Sequence, residues 1–160
     1  MKVAKTIRHK ILNHSSIFDE TIRVYNEALS FIIEVIDQEV EHVDAYSTKE
    51  MTNLIERLIH ATKSNPNPKY TEFNQRFYKF PSYFRRAAIA TAFGKVKSYR
   101  SLRKNWETEK QVTLENGRKF NKQPPTKQLI HKEFPVLYKG NMFEKTSDRT
   151  AFVKAFVKND

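Results

Sequence analysis

An α+β fold, a β-module interrupted by a helical insertion, is what the 160-residue sequence predicts. Three observations lead there. A short apolar alternation opens the chain, a long block with helical periodicity follows, and strand and turn signals take over after residue 110. A lone N-terminal strand needs a partner, and the late strands are the only candidates. The predicted organisation is therefore residues 1–14 as the first strand, 15–110 as the helical insertion, and 111–160 as the rest of the β-module, truncated at its end.

The first strand is read from Val3, Ile7 and Ile11, with Lys2, Thr6, Arg8 and Lys10 on the other parity. Ser15 and Ser16 then offer N-caps, and Asp19 and Glu20 place acid in a first helical turn, where the helix dipole favours it. Phe18, Ile22, Tyr25, Leu29, Ile32, Ile36, Val40 and Val43 follow at spacings of three or four, the mark of a long amphipathic helix. Ser47 and Glu50 form a capping box ahead of a second stripe of Met51, Leu54, Ile55, Leu58 and Ile59. The prolines in Ser-Asn-Pro-Asn-Pro at 64–68 end it. Tyr70, Phe73 and Phe77 make a short aromatic segment, and Pro81-Ser82 opens a helix expected to reach about Trp106.

Beyond residue 110 the expectation is β. Asn116-Gly117 between residues 111–115 and 118–120 predicts a hairpin with a two-residue turn. A second hairpin is expected from 134–138 and 142–145 around Gly140, and a last strand over 151–158.

Charge is unevenly distributed. Residues 1–68 hold eight Lys/Arg and ten Asp/Glu, whereas residues 69–160 hold twenty-one and eight. A basic half in a chain of net charge +11 points to a polyanionic partner. The feature is sharpest in QRFYKFPSYFRRAAIATAFGKVKSYRSLRKNW, residues 75–106, which contains no carboxylate. Its nine basic residues are Arg76, Lys79, Arg85, Arg86, Lys95, Lys97, Arg100, Arg103 and Lys104, and eight aromatic residues accompany them. On a helix, Ile89, Phe93, Val96 and Tyr99 form a core stripe, and Arg86, Lys97 and Lys104 share one shoulder within about 20°. That row suits phosphates along a groove, its field unneutralised by local acid. Arg100 and Arg103 lie nearer the core stripe, in reach of a neighbouring chain or strand. Ala87, Ala88, Ala90, Ala92 and Gly94 keep one side thin, and Tyr78, Tyr83 and Phe84 are candidates for stacking bases.

Residues 80–107, FPSYFRRAAIATAFGKVKSYRSLRKNWE, resemble the corresponding segment of TnpB-like (OrfB-type) insertion-sequence transposases, relatives of the type V CRISPR effector nucleases. The match runs through Pro-Ser-x-x-Arg-Arg-Ala-Ala-Ile, Ser-Tyr and Lys-Asn-Trp. The resemblance implies a wedge-like β-barrel built from strand 1 and the C-terminal strands. It also implies a transposon-encoded, RNA-guided DNA endonuclease whose front part binds guide-type RNA and target DNA. In that family the RuvC-like nuclease domain, with its Mg2+-binding carboxylates, lies beyond the point where this sequence ends. The expected nucleic-acid-binding residues are Arg76, Lys79, Tyr83, Arg85, Arg86, Lys97, Arg100, Arg103 and Lys104, and no catalysis, metal or cofactor is expected of the chain itself.

Other chemistry finds little support. The five histidines show no metal-ligand spacing, and Glu34, Asp37, Glu41 and Asp44 read as a solvated face. Three scattered glycines provide neither a P-loop nor a dinucleotide fingerprint. Without cysteine there is no disulfide or thiolate site, and no apolar run spans a membrane, so a cytoplasmic protein is expected. The competing reading is a helical protein-interaction adaptor whose basic surface meets an acidic partner.

Overall fold

A computed structural model describes Leu12, residues 15–138 and residues 140–157. The predicted strand over residues 2–12 lies outside this range apart from Leu12. Among the described residues four α-helices carry the fold: α1 (Ser16–Glu39), α2 (Thr48–Ile59), the short α3 (Glu72–Arg76) and α4 (Ser82–Glu115). Strands β1 (Phe143–Lys145) and β2 (Ala151–Val153) pair antiparallel, with Phe143 opposite Val153.

Ser15 caps α1, its hydroxyl accepting from the Ile17 N–H at 3.4 Å. One stripe of α1, including Tyr25, Leu29, Ile32 and Ile36, is fully buried. The capping box at the start of α2 forms in both directions: the Glu50 N–H donates to the Ser47 hydroxyl and the Ser47 N–H to the Glu50 carboxylate. Met51, Ile55 and Ile59 face inward behind it. Phe73, Phe77 and Phe80 form a ring cluster extended by the partly buried Phe31. The chain then turns through Lys79, a non-glycine residue at φ +56°, before Pro81 starts α4.

The expected barrel is absent among the described residues. Those residues form only a two-stranded open sheet and are mainly helical. Residues 111–115 are not a hairpin strand but the last turns of α4, which runs past Trp106 to Glu115. Extending an existing helix gains one hydrogen bond per residue without a new nucleus, which outweighs the weak β-preference of Val112 and Thr113. Asn116-Gly117 ends the helix instead of turning a hairpin. Gly117 takes φ +67° and its N–H bonds to the Leu114 carbonyl, while the Arg118 N–H bonds to Thr113. That is a Schellman stop, and it draws on the same tolerance of positive φ that a tight hairpin turn needs.

After this stop the chain doubles back as an irregular strap along α4. Trp106 Nε1 donates to the Lys122 carbonyl and its ring meets Phe120 edge-on. Lys95 reaches Gln128 at 3.0 Å and Glu133 at 2.6 Å. Residues 134–138, expected as a strand, have no strand beside them among the described residues. Burial still alternates there, with His131, Glu133, Pro135 and Leu137 half-buried and Lys132, Phe134, Val136 and Tyr138 exposed. The last strand is shorter than expected. Its tail returns to α1, where the Phe156 N–H donates to the Thr21 hydroxyl and the Phe156 ring packs on Phe80.

Candidate nucleic-acid interface

The first half of α4 is pinned by Phe84, Ala88, Ile89, Ala92, Phe93 and Val96, all buried, so its remaining faces have fixed directions. Ala87, Ala88 and Ala92 belong to the core and do not form a thin outer side. The thin side lies elsewhere. Gly94, Ser98, Ser101, Asn105 and Thr108 recur at alternating steps of four and three, and all are exposed. They form a solvent-facing strip of small residues, and a Cβ on Gly94 would meet nothing within 4 Å. Arg86, Lys97 and Lys104, also exposed, run along one border of the strip over about 27 Å of helix. Sequence reasoning missed Ser98, Ser101, Asn105 and Thr108, although their spacing was the available signal.

Local absence of acid does not leave this row unneutralised, because other elements bring carboxylates to it. Arg86 lies 3.4 Å from Glu56 of α2, and Lys97 lies 3.2 Å from Asp44. Lys104 meets no carboxylate among the described residues. The Lys97–Asp44 pair is exposed on both sides and worth about 0–1 kcal/mol, whereas the Glu56 carboxylate beside Arg86 is half-buried. Glu56 also serves Arg85, at 3.3 Å, so one carboxylate is shared between two guanidiniums and the corner stays net positive.

Five of the remaining candidates are used by the fold or sit off the row. Arg85 is buried, donating to Glu56 and to the Phe80 carbonyl at 3.4 Å. Burial pulls its pKa down, and Glu56 opposes that. Arg100 reaches the end of α1. Nη1 donates to the Val40 and Glu41 carbonyls and Nη2 to Asp37, closing the carbonyl end of α1 with a cation. Arg76 covers the Phe77 ring at the end of α3, 4.0 Å from Glu27, and Lys79 covers Tyr78 in the following turn. Arg103 stays on α4, held by Glu107 at 3.0 Å and by the Tyr99 hydroxyl.

The stacking candidates divide. Phe84 is core, Tyr83 is half-buried with its ring 5.5 Å from that of Tyr138, and Tyr78 is exposed. Among the described residues no group of three or more histidines and carboxylates is placed to hold a metal ion. Asp37, from the acidic face of α1, is engaged by Arg100 and Lys127, and Asp44 by Lys97. Among the described residues no helix is long and apolar enough to cross a membrane.

No curated protein and no solved structure matches the chain. A family match covers residues 5–157, nearly the whole length, and the chain belongs to the Aq_aa04 family.

Proposed function

We propose that this protein binds nucleic acid along the solvent face of α4. The observation that carries the reading is the basic row of Arg86, Lys97 and Lys104 beside a strip of small residues. Cations on one border neutralise phosphates, and the side-chain-poor strip lets a sugar-phosphate backbone approach the helix closely. Arg103, Lys79 and Tyr78 lie off this row, and Arg85 and Arg100 support it by holding α4 in place. The resemblance of residues 80–107 to TnpB-like transposases points to guide-type RNA and target DNA as the ligands. In that reading the chain supplies binding to an RNA-guided endonuclease and the strand-cutting chemistry belongs to a RuvC-like domain.

The test is affinity for a structured RNA and for duplex DNA across a salt series. Each of Arg86→Ala, Lys97→Ala and Lys104→Ala should flatten the log-log salt slope by about 0.7–0.9 if each residue contacts one phosphate. Slopes unchanged in the triple variant would sink the reading and favour an acidic protein partner.

A further inference from the structure

We infer that the cavity between α1, α4 and the strap receives one unpaired nucleobase of the strand lying along α4, a reading that rests on the proposed nucleic-acid binding. The cavity encloses about 260 Å³. Drug-sized ligands occupy pockets of about 300–1,000 Å³, so this one suits a single planar ring system. Its location fits. Ser98 lines the cavity and also belongs to the exposed strip of α4, so a base turned off a backbone on that strip has a direct way in.

The lining selects a base over a phosphate. Ile33, Val96, Tyr99, Leu102 and Pro125 provide apolar and aromatic surface against which a ring can pack. The Ser98 and Thr126 hydroxyls make no hydrogen bond among the described residues, leaving two groups that both donate and accept for a base edge. The charged groups at the cavity are already matched. Asp37 engages Arg100 and Lys127, and Lys95 engages Glu133. With both lining lysines already paired, a phosphate inside would be repelled by the Asp37 carboxylate, whereas a neutral heteroaromatic ring would not. A base inside a duplex stack cannot reach such a cavity, so the occupant comes from a single-stranded or bulged segment.

The experiment compares a short single-stranded RNA with the same strand carrying one abasic residue, walked through each position. Leu102→Trp, at an exposed position, closes the mouth without touching the core. The wild type should lose on the order of tenfold in affinity at one abasic position. L102W should bind intact and abasic strands alike, and 2-aminopurine at that position should change its fluorescence only with the wild type. The salt slope should be the same for both proteins. If wild type binds intact and abasic strands equally while keeping its salt slope, the cavity assignment is overturned and binding along α4 stands. If wild type shows no salt-dependent binding, both fall.

Discussion

Asn26 holds the backbone of Glu133 with two hydrogen bonds: its Nδ2 donates to the Glu133 carbonyl at 2.9 Å, and the Glu133 N–H donates to its Oδ1 at 2.8 Å. The side-chain amide occupies the place of a neighbouring strand, giving one residue of the strap both bonds that a β-ladder would supply. Replacing it with leucine keeps the bulk and removes both. The expected loss is about 1–3 kcal/mol, with faster amide exchange and earlier proteolysis confined to residues 131–138. Uniform loss across the molecule would mean that the clip does not act locally.

Arg100 and Lys104 lie one helical turn apart on α4 and should respond oppositely. Arg100→Ala strips the cation from the end of α1 and should cost about 2 kcal/mol, lowering Tm by several degrees in a domain of this size. The folded fraction should keep its salt slope for nucleic acid. Lys104→Ala should leave Tm unchanged and flatten the slope. Thermal denaturation and binding, measured on the same pair of variants, separate the two roles.

Asp37 ties three elements together, since its carboxylate on α1 meets Arg100 from α4 and Lys127 from the strap. Burial alone would raise its pKa, but hydrogen bonds and charge from Lys127 and Arg100 bring it below the ordinary value of 3.8. A carboxyl depressed in the folded state adds stability that is complete above its unfolded pKa and disappears as pH falls through the folded one. Acid titration below about pH 4 should therefore loosen the strap. In Asp37→Asn that component should be missing, and a strap that loosens identically in the variant would assign the effect to other groups.

Gly94 sits in a helix at ordinary φ with open space around it, so nothing among the described residues requires glycine there. Gly94→Ala should stabilise the protein by about 0.5–1 kcal/mol. Gly94→Trp should also fold, yet weaken nucleic-acid binding by blocking backbone approach at the strip. Full affinity in the tryptophan variant would show that the ligand passes elsewhere.

The local elements were legible in the sequence because their causes are local. Ser15 and the Ser47–Glu50 box set helix starts through contacts within one turn, and the three-four spacing from Tyr25 to Ile36 marked the face that α1 buries. The basic character of residues 75–106 was likewise plain. Partnership was not legible. Whether Asn116-Gly117 turns a hairpin or stops a helix depends on whether α4 propagates far enough to reach it, and a strand at 134–138 needs a neighbour that the described residues do not supply. The fate of each cation was decided in three dimensions. Arg85 and Arg100 have no acid near them in sequence, yet folding sets Glu56 beside one and the end of α1 beside the other. Charge along a chain is a one-dimensional quantity, whereas Coulomb interaction depends on distance in space, which only the packing of α4 on α1 and α2 determines.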